Sequence, residues 1–166
     1  LEFAHANMNT WFQKVAGYFR KQGQGEIFLW DVNRTRTWQP APGDIGTGIT
    51  NASPSRGHVW TAMAGDDGSV IYVSGNAGSS VRKNGCIRID QVDLEVPPPG
   101  FRYNDLITGE IDANTYGKPS AGSMWVVSVA RMSLLYAQLE ELKELKESDP
   151  PAYQARLRDL HLRPLE

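Results

Sequence analysis

The residues able to do covalent chemistry in this chain are few. Of its 166 residues one is a cysteine, Cys86, and three are histidines, His5, His58 and His161. A single thiol rules out an intramolecular disulfide and a zinc–cysteine cluster. The histidines lie far apart, with no spacing that would set two on one helical face toward a metal, so no metal or organic cofactor is expected. What remains is nucleophilic or proton-transfer chemistry. His58 is the first candidate, because it follows Gly57 and opens an apolar run, His58-Val59-Trp60-Thr61-Ala62-Met63. An imidazole there can act as general base toward a nucleophile and then as general acid toward a leaving amine. Such a ring needs a group to fix its tautomer. Asn76 and Ser74 are the candidates; they lie two residues apart, a spacing that on a strand puts both on one face. Asp44 reads as a residue that ties down its own turn.

The elements that would position these groups are readable in part. Trp11, Phe12, Val15, Tyr18 and Phe19 form one apolar stripe, which predicts a helix over about 6–20. Ile27 to Trp30 is too short to assign, and 31–57 reads as mostly irregular, with Pro42-Gly43-Asp44-Ile45 a turn into a strand. Strands are expected at 58–63 and 69–74 around the turn Asp66-Asp67-Gly68. Further strands are expected at 86–90 and 124–129. Residues 91–122 read as a long loop marked by Pro97-Pro98-Pro99-Gly100. Helices are expected over 133–146 and about 152–162, the first with Leu135, Leu139 and Leu142 on its stripe. The order of helix, strands and helices predicts an α+β fold.

Composition sets wider bounds. Hydrophobic residues make up 40% and charged residues 22% of the chain, which fits a folded domain. A net charge of −2 gives no electrostatic reason for a nucleic-acid partner. No apolar run reaches the ~20 residues of a membrane span. No signal peptide is visible, and Leu1-Glu2-Phe3 and Leu165-Glu166 read as cloning scars.

The segment from Pro42 to Val81 resembles the central hairpin of CHAP and NlpC-type papain-like cysteine amidases. It carries Pro42-Gly43-Asp44-Ile45, Gly57-His58-Val59, Asp67-Gly68, Val73-Ser74-Gly75-Asn76-Ala77-Gly78 and Val81 in the family's order. The resemblance implies a papain-like fold: an amidase domain over 1–131, its N-terminal helix packed on an antiparallel sheet, with 132–166 a helical extension of the same domain. It also implies a nucleophilic cysteine at the start of the first helix, where the helix N-terminus favours thiolate. The matching position here is Ala6. Alanine there reads as a replaced nucleophile, engineered or natural, or as an ordinary helix residue of high propensity, in which case the register of the match is shifted. The implied substrate is the peptidoglycan stem peptide, cut through a thioester, by a secreted antibacterial effector acting in the periplasm or cell wall. An immunity protein covering the cleft is the implied partner. A rival reading uses Cys86: Asn84-Gly85-Cys86-Ile87-Arg88 resembles the HGCxR strand motif of L,D-transpeptidases, with Asn84 where that family has histidine. A non-catalytic wall-binding module is the third reading.

Overall fold

The computed structural model describes residues 4–31, 39–50, 57–66, 68–75, 87–101 and 116–163, the side chains of 4–7, 26, 30 and 31 excepted. Chain order runs α1 (Ala4–Lys21), α2 (Gly25–Phe28), β1 (Leu29–Asp31), β2 (Ile45–Thr50), β3 (His58–Gly65), β4 (Ser69–Ser74), β5 (Arg88–Glu95), β6 (Ser123–Ala130), α3 (Met132–Ser148) and α4 (Pro150–Asp159). The fold is α+β, as the sequence predicts, but the sheet does more than lie under a helix. Its order is β1-β6-β2-β3-β4-β5, and β5 pairs back onto β6. That last pairing is parallel, through Asp93↔Ser123, Leu94↔Met124 and Glu95↔Trp125. Five strands therefore close into a barrel, and β1 adds to the far end of β6 through Leu29↔Ala130 to Asp31↔Ser128. The expected antiparallel sheet is corrected to a closed barrel with one parallel joint.

β6 makes this possible. All eight of its residues are buried, because it pairs with β2 on one side and with β5 and β1 on the other. The interior is filled by Trp60, Ala62, Val70, Tyr72, Val92, Met124, Val126 and Val129. On β2 the inward positions are Gly46 and Gly48. A β-carbon at Gly46 would fall inside the Trp60 indole, and one at Gly48 against Met124. A five-stranded barrel is too narrow for large side chains from every strand, so the two glycines make room for Trp60 and Met124. The same strand turns Ile45 and Ile49 outward into two separate apolar clusters.

The helices cover the barrel near Ile45 and Ala130. Phe12, Val15, Ala16, Tyr18 and Phe19 of α1 share one cluster with Phe28, Leu29, Ala130 and the buried faces of α3 and α4. Phe19 stacks on Phe28 at 4.4 Å between ring centroids. The start of α3 is fixed from a distance in sequence. Asp44, 1% exposed, accepts from Met132 N at 3.1 Å and from Ala41 N at 2.9 Å and pairs with Arg131 Nε at 3.0 Å. Arg131 does not cap the helix with its own side chain; the Asp44 carboxylate takes that place at the positive end of the helix. It ties its own turn, as expected, and joins that turn to α3. At α4, Asp149 caps through Ala152 N, with prolines at the first two positions.

Element limits depart most from the sequence reading in two places. Ile27–Trp30 divides into the end of α2 and the start of β1. The supposed loop from 91 conceals the second half of β5, which runs to Glu95. Its outward residues Gln91 and Asp93 are polar and exposed, so it lacks the apolar run that marks a strand.

Candidate active site

Strand alternation sends every second residue of β3 into the barrel. Trp60 and Ala62 point inward, so His58 occupies the next inward position at the strand's first residue. It pairs across β2 with Gly48, which has no side chain to fill the space beside it. His58 is half-buried and stands at a mouth of the barrel.

The neighbouring strands bring their own polar groups to this mouth. On β4, Val70 and Tyr72 are inward and Ser74 follows them on the same face, 4% exposed. On β5 the register Val70↔Val92, Tyr72↔Asp90, Ser74↔Arg88 puts Asp90 and Arg88 on that face too. Ile87 and Ile89 are turned out, 80% and 61% exposed. The strand alternates as expected, with its charges in and its isoleucines out. Val92 and Leu94 explain this: both pack into the interior, and a period of two then fixes residues 90 and 88 on the same side.

These groups interact. Arg88 Nε donates to Asp90 Oδ1 at 2.8 Å, Arg88 on the exposed rim and Asp90 further in. Burial holds the His58 imidazole below its ordinary value, and the Asp90 carboxylate partly offsets this. Burial therefore favours the neutral ring, the form a general base requires. Burial and then Asp90 push the Tyr72 hydroxyl up, with Arg88 opposing. Asp90 is the residue that sequence reasoning missed. Its signal was the alternation of Arg88 and Asp90 against Ile87 and Ile89, which already put both charges on one face.

Of the residues singled out from the sequence, His58 and Ser74 lie on adjacent strands and share the inner face. Ala6 lies in the first turn of α1, with its side chain outside the described residues. Asn76 and Cys86 also lie outside the described residues. Leu29, Ile45 and Ala130 are the described strand residues that share the cluster of α1, and Ile45 and Ala130 face outward. Among the described residues no group of three His, Cys, Asp or Glu is placed to hold a metal ion, and no helix is long and apolar enough to cross a membrane. No family model, curated protein or solved structure matches the chain.

Proposed function

We propose that the barrel mouth serves thiol-dependent cleavage of a peptide amide, with His58 as proton shuttle and the peptidoglycan stem peptide as substrate class. The observation that carries this reading is the half-buried His58 imidazole on the inner face at the barrel mouth, its pKa lowered by burial and partly restored by the Asp90 charge. The Asp90 charge favours the imidazolium that forms when His58 takes the thiol proton. The thiolate attacks the carbonyl carbon, the C–N bond breaks as His58 protonates the leaving amine, and water releases the acyl group from the thioester.

On the papain-like resemblance the sulfur belongs at residue 6, and Ala6 makes this chain an inactive form. The helix N-terminus there favours thiolate. Met8, two residues on, packs against the helical cluster that holds Ile45 and Ala130, so the reading requires the first turn of α1 to reach from there to the mouth, three strand positions or roughly 10 Å beyond Ile45. A secreted effector acting in the periplasm or wall, with an immunity protein over the mouth, completes this reading.

A second reading places the nucleophile at Cys86, as in a transpeptidase-like enzyme. Cys86 stands two residues before Arg88 in the sequence, and Arg88 pairs with Ser74 at the mouth. One experiment separates the two. Purified wall fragments are incubated with the unmodified chain, with Ala6→Cys, and with Ala6→Cys/Cys86→Ser, and the products are read by mass spectrometry. Cleavage that requires Ala6→Cys and survives Cys86→Ser supports the amidase. Cleavage or exchange by the unmodified chain that is lost in Cys86→Ser supports the second reading. No product from any of the three leaves a wall-binding module and removes both.

A further inference from the structure

At the mouth, β5 inverts the polarity expected of a barrel strand. Its outward residues there, Ile87 and Ile89, are 80% and 61% exposed, while Arg88 and Asp90 share the inner face with Val92. A period of two fixes which side each residue takes, not its type. Apolar residues at 88 and 90 with charged ones at 87 and 89 would cover the interior better and leave no isoleucine in water. Local rules broken in this way concentrate at functional sites.

Asp90 is accounted for by its effect on His58; Arg88 is not. An exposed ion pair adds little stability, so the pair itself does not explain the inversion. Arg88 opens β5 opposite Ser74, and 63% of its side chain is exposed, so a solute reaches it directly. Its Nε donates to Asp90 Oδ1 at 2.8 Å, which bends the side chain along its own strand toward residue 90. The guanidinium charge also acts on the Tyr72 hydroxyl, opposing the rise caused by burial and Asp90. Tyr72 is the inward residue of β4 paired with Asp90. The cation therefore stands toward the inner faces of β4 and β5, and the carboxylate that holds it is the one that acts on His58.

The contact with Asp90 is made through Nε. The four N–H groups of the two terminal nitrogens form an end-on fork that matches the two oxygens of a carboxylate. An arginine already held at Nε loses less freedom when that fork is engaged.

We propose that the Arg88 guanidinium takes a carboxylate of the peptide whose amide enters beside His58, and so selects the acidic peptide over its neutral amide. This rests on the reading of the mouth as a peptide site and deepens it, naming the charge class of the substrate. A stem peptide offers two such groups, the α-carboxylate of its γ-linked D-glutamyl residue and its C-terminal carboxylate, and the same fork fits either.

The unmodified chain is titrated by calorimetry with synthetic L-alanyl-γ-D-glutamyl-L-lysyl-D-alanine and with two versions, one amidated at the glutamyl α-carboxylate and one at the C-terminus. One of the two amidations is expected to weaken binding by roughly 3- to 10-fold, as for an exposed charge-assisted pair, and it identifies the carboxylate that Arg88 takes. In Arg88→Gln the acid and that amide are expected to bind within about 2-fold of each other. Arg88→Lys keeps a charge beside Asp90 without the fork and is expected to retain only part of the preference. A residue that merely held Asp90 in place would change the affinity for acid and amide alike, so the ratio isolates contact with the ligand. No binding of the peptide, equal binding of all three, or a preference undiminished in either variant overturns the proposal. The readout needs no turnover. An Arg88-dependent preference without wall cleavage counts against the cleavage reading alone, and cleavage without the preference counts against the Arg88 site alone.

Discussion

Gly46→Ala should be among the most damaging single-methyl additions in this protein. The new β-carbon would fall against Cζ2, Cε2 and Cη2 of Trp60. Ordinary carbon–carbon contact is about 3.5–4.0 Å, so the indole must move by more than ~1 Å. It has little room to do so, being 1% exposed and packed near Tyr72, 6.0 Å between ring centroids. Overpacking a core costs about 1–3 kcal/mol, occasionally more, and a rigid bicyclic ring against a strand backbone belongs at the upper end. About 3 kcal/mol lowers the melting temperature of a chain this size by roughly 6–12 °C. Trp60→Phe removes the overlapping atoms and alone costs about 1–2 kcal/mol through the space it leaves. The double variant should then be more stable than the sum of the two losses implies, by at least about 1.5 kcal/mol. Urea unfolding of the four proteins, compared at constant m-value, measures this coupling. Additivity within about 0.5 kcal/mol would mean that Trp60 does not lie over Gly46. The inward assignment of β3, and with it that of His58, would fall.

Three further outcomes follow from the same geometry. Asp44→Ala removes the acceptor of Met132 N and Ala41 N and the partner of the part-exposed Arg131, and should destabilise by about 1–3 kcal/mol, the cost of leaving buried donors unpaired; thermal unfolding reads it. The His58 pKa is lower in the folded chain than in the unfolded one, so the unfolded state binds the extra proton. Stability contributed by His58 is full above about 6.5 and declines as pH falls from there through the folded value. His58→Gln should flatten that part of the stability–pH curve, and an unchanged slope would assign it to another group. Asp90→Asn removes the charge that supports the imidazolium, so NMR titration of His58 should give a still lower pKa; no shift would separate Asp90 from the ring.

Local pattern made the hairpin legible: apolar alternation on β3 and β4 around Asp66–Ser69 located His58 and Ser74 on the two strands of one hairpin. The α1 and α3 stripes were legible for the same reason, since Phe12, Val15 and Phe19 recur at helical spacing. Closure of the barrel was not, because Asp93–Glu95 must find Ser123–Trp125 across a long intervening segment and neither tripeptide encodes the other. Asp90 escaped for a related reason. Its relation to His58 arises from register across β4, a property of three strands together. The two inward glycines were visible as Gly46 and Gly48, but their role depends on which residues face them.

The pairing pattern of β6 bears on how the chain acquires its shape during synthesis. That strand is the partner of β1, β2 and β5 alike, yet it emerges after all of them. Until it is made, β2 and β5 are the two open borders of a four-stranded ribbon, with Val70, Tyr72 and Val92 unroofed. Such borders invite pairing with other chains, and contacts this distant in sequence form slowly. The nascent polypeptide is therefore most vulnerable in the interval between β5 and the arrival of Ser123–Ala130, when one late segment must supply three sets of strand pairings.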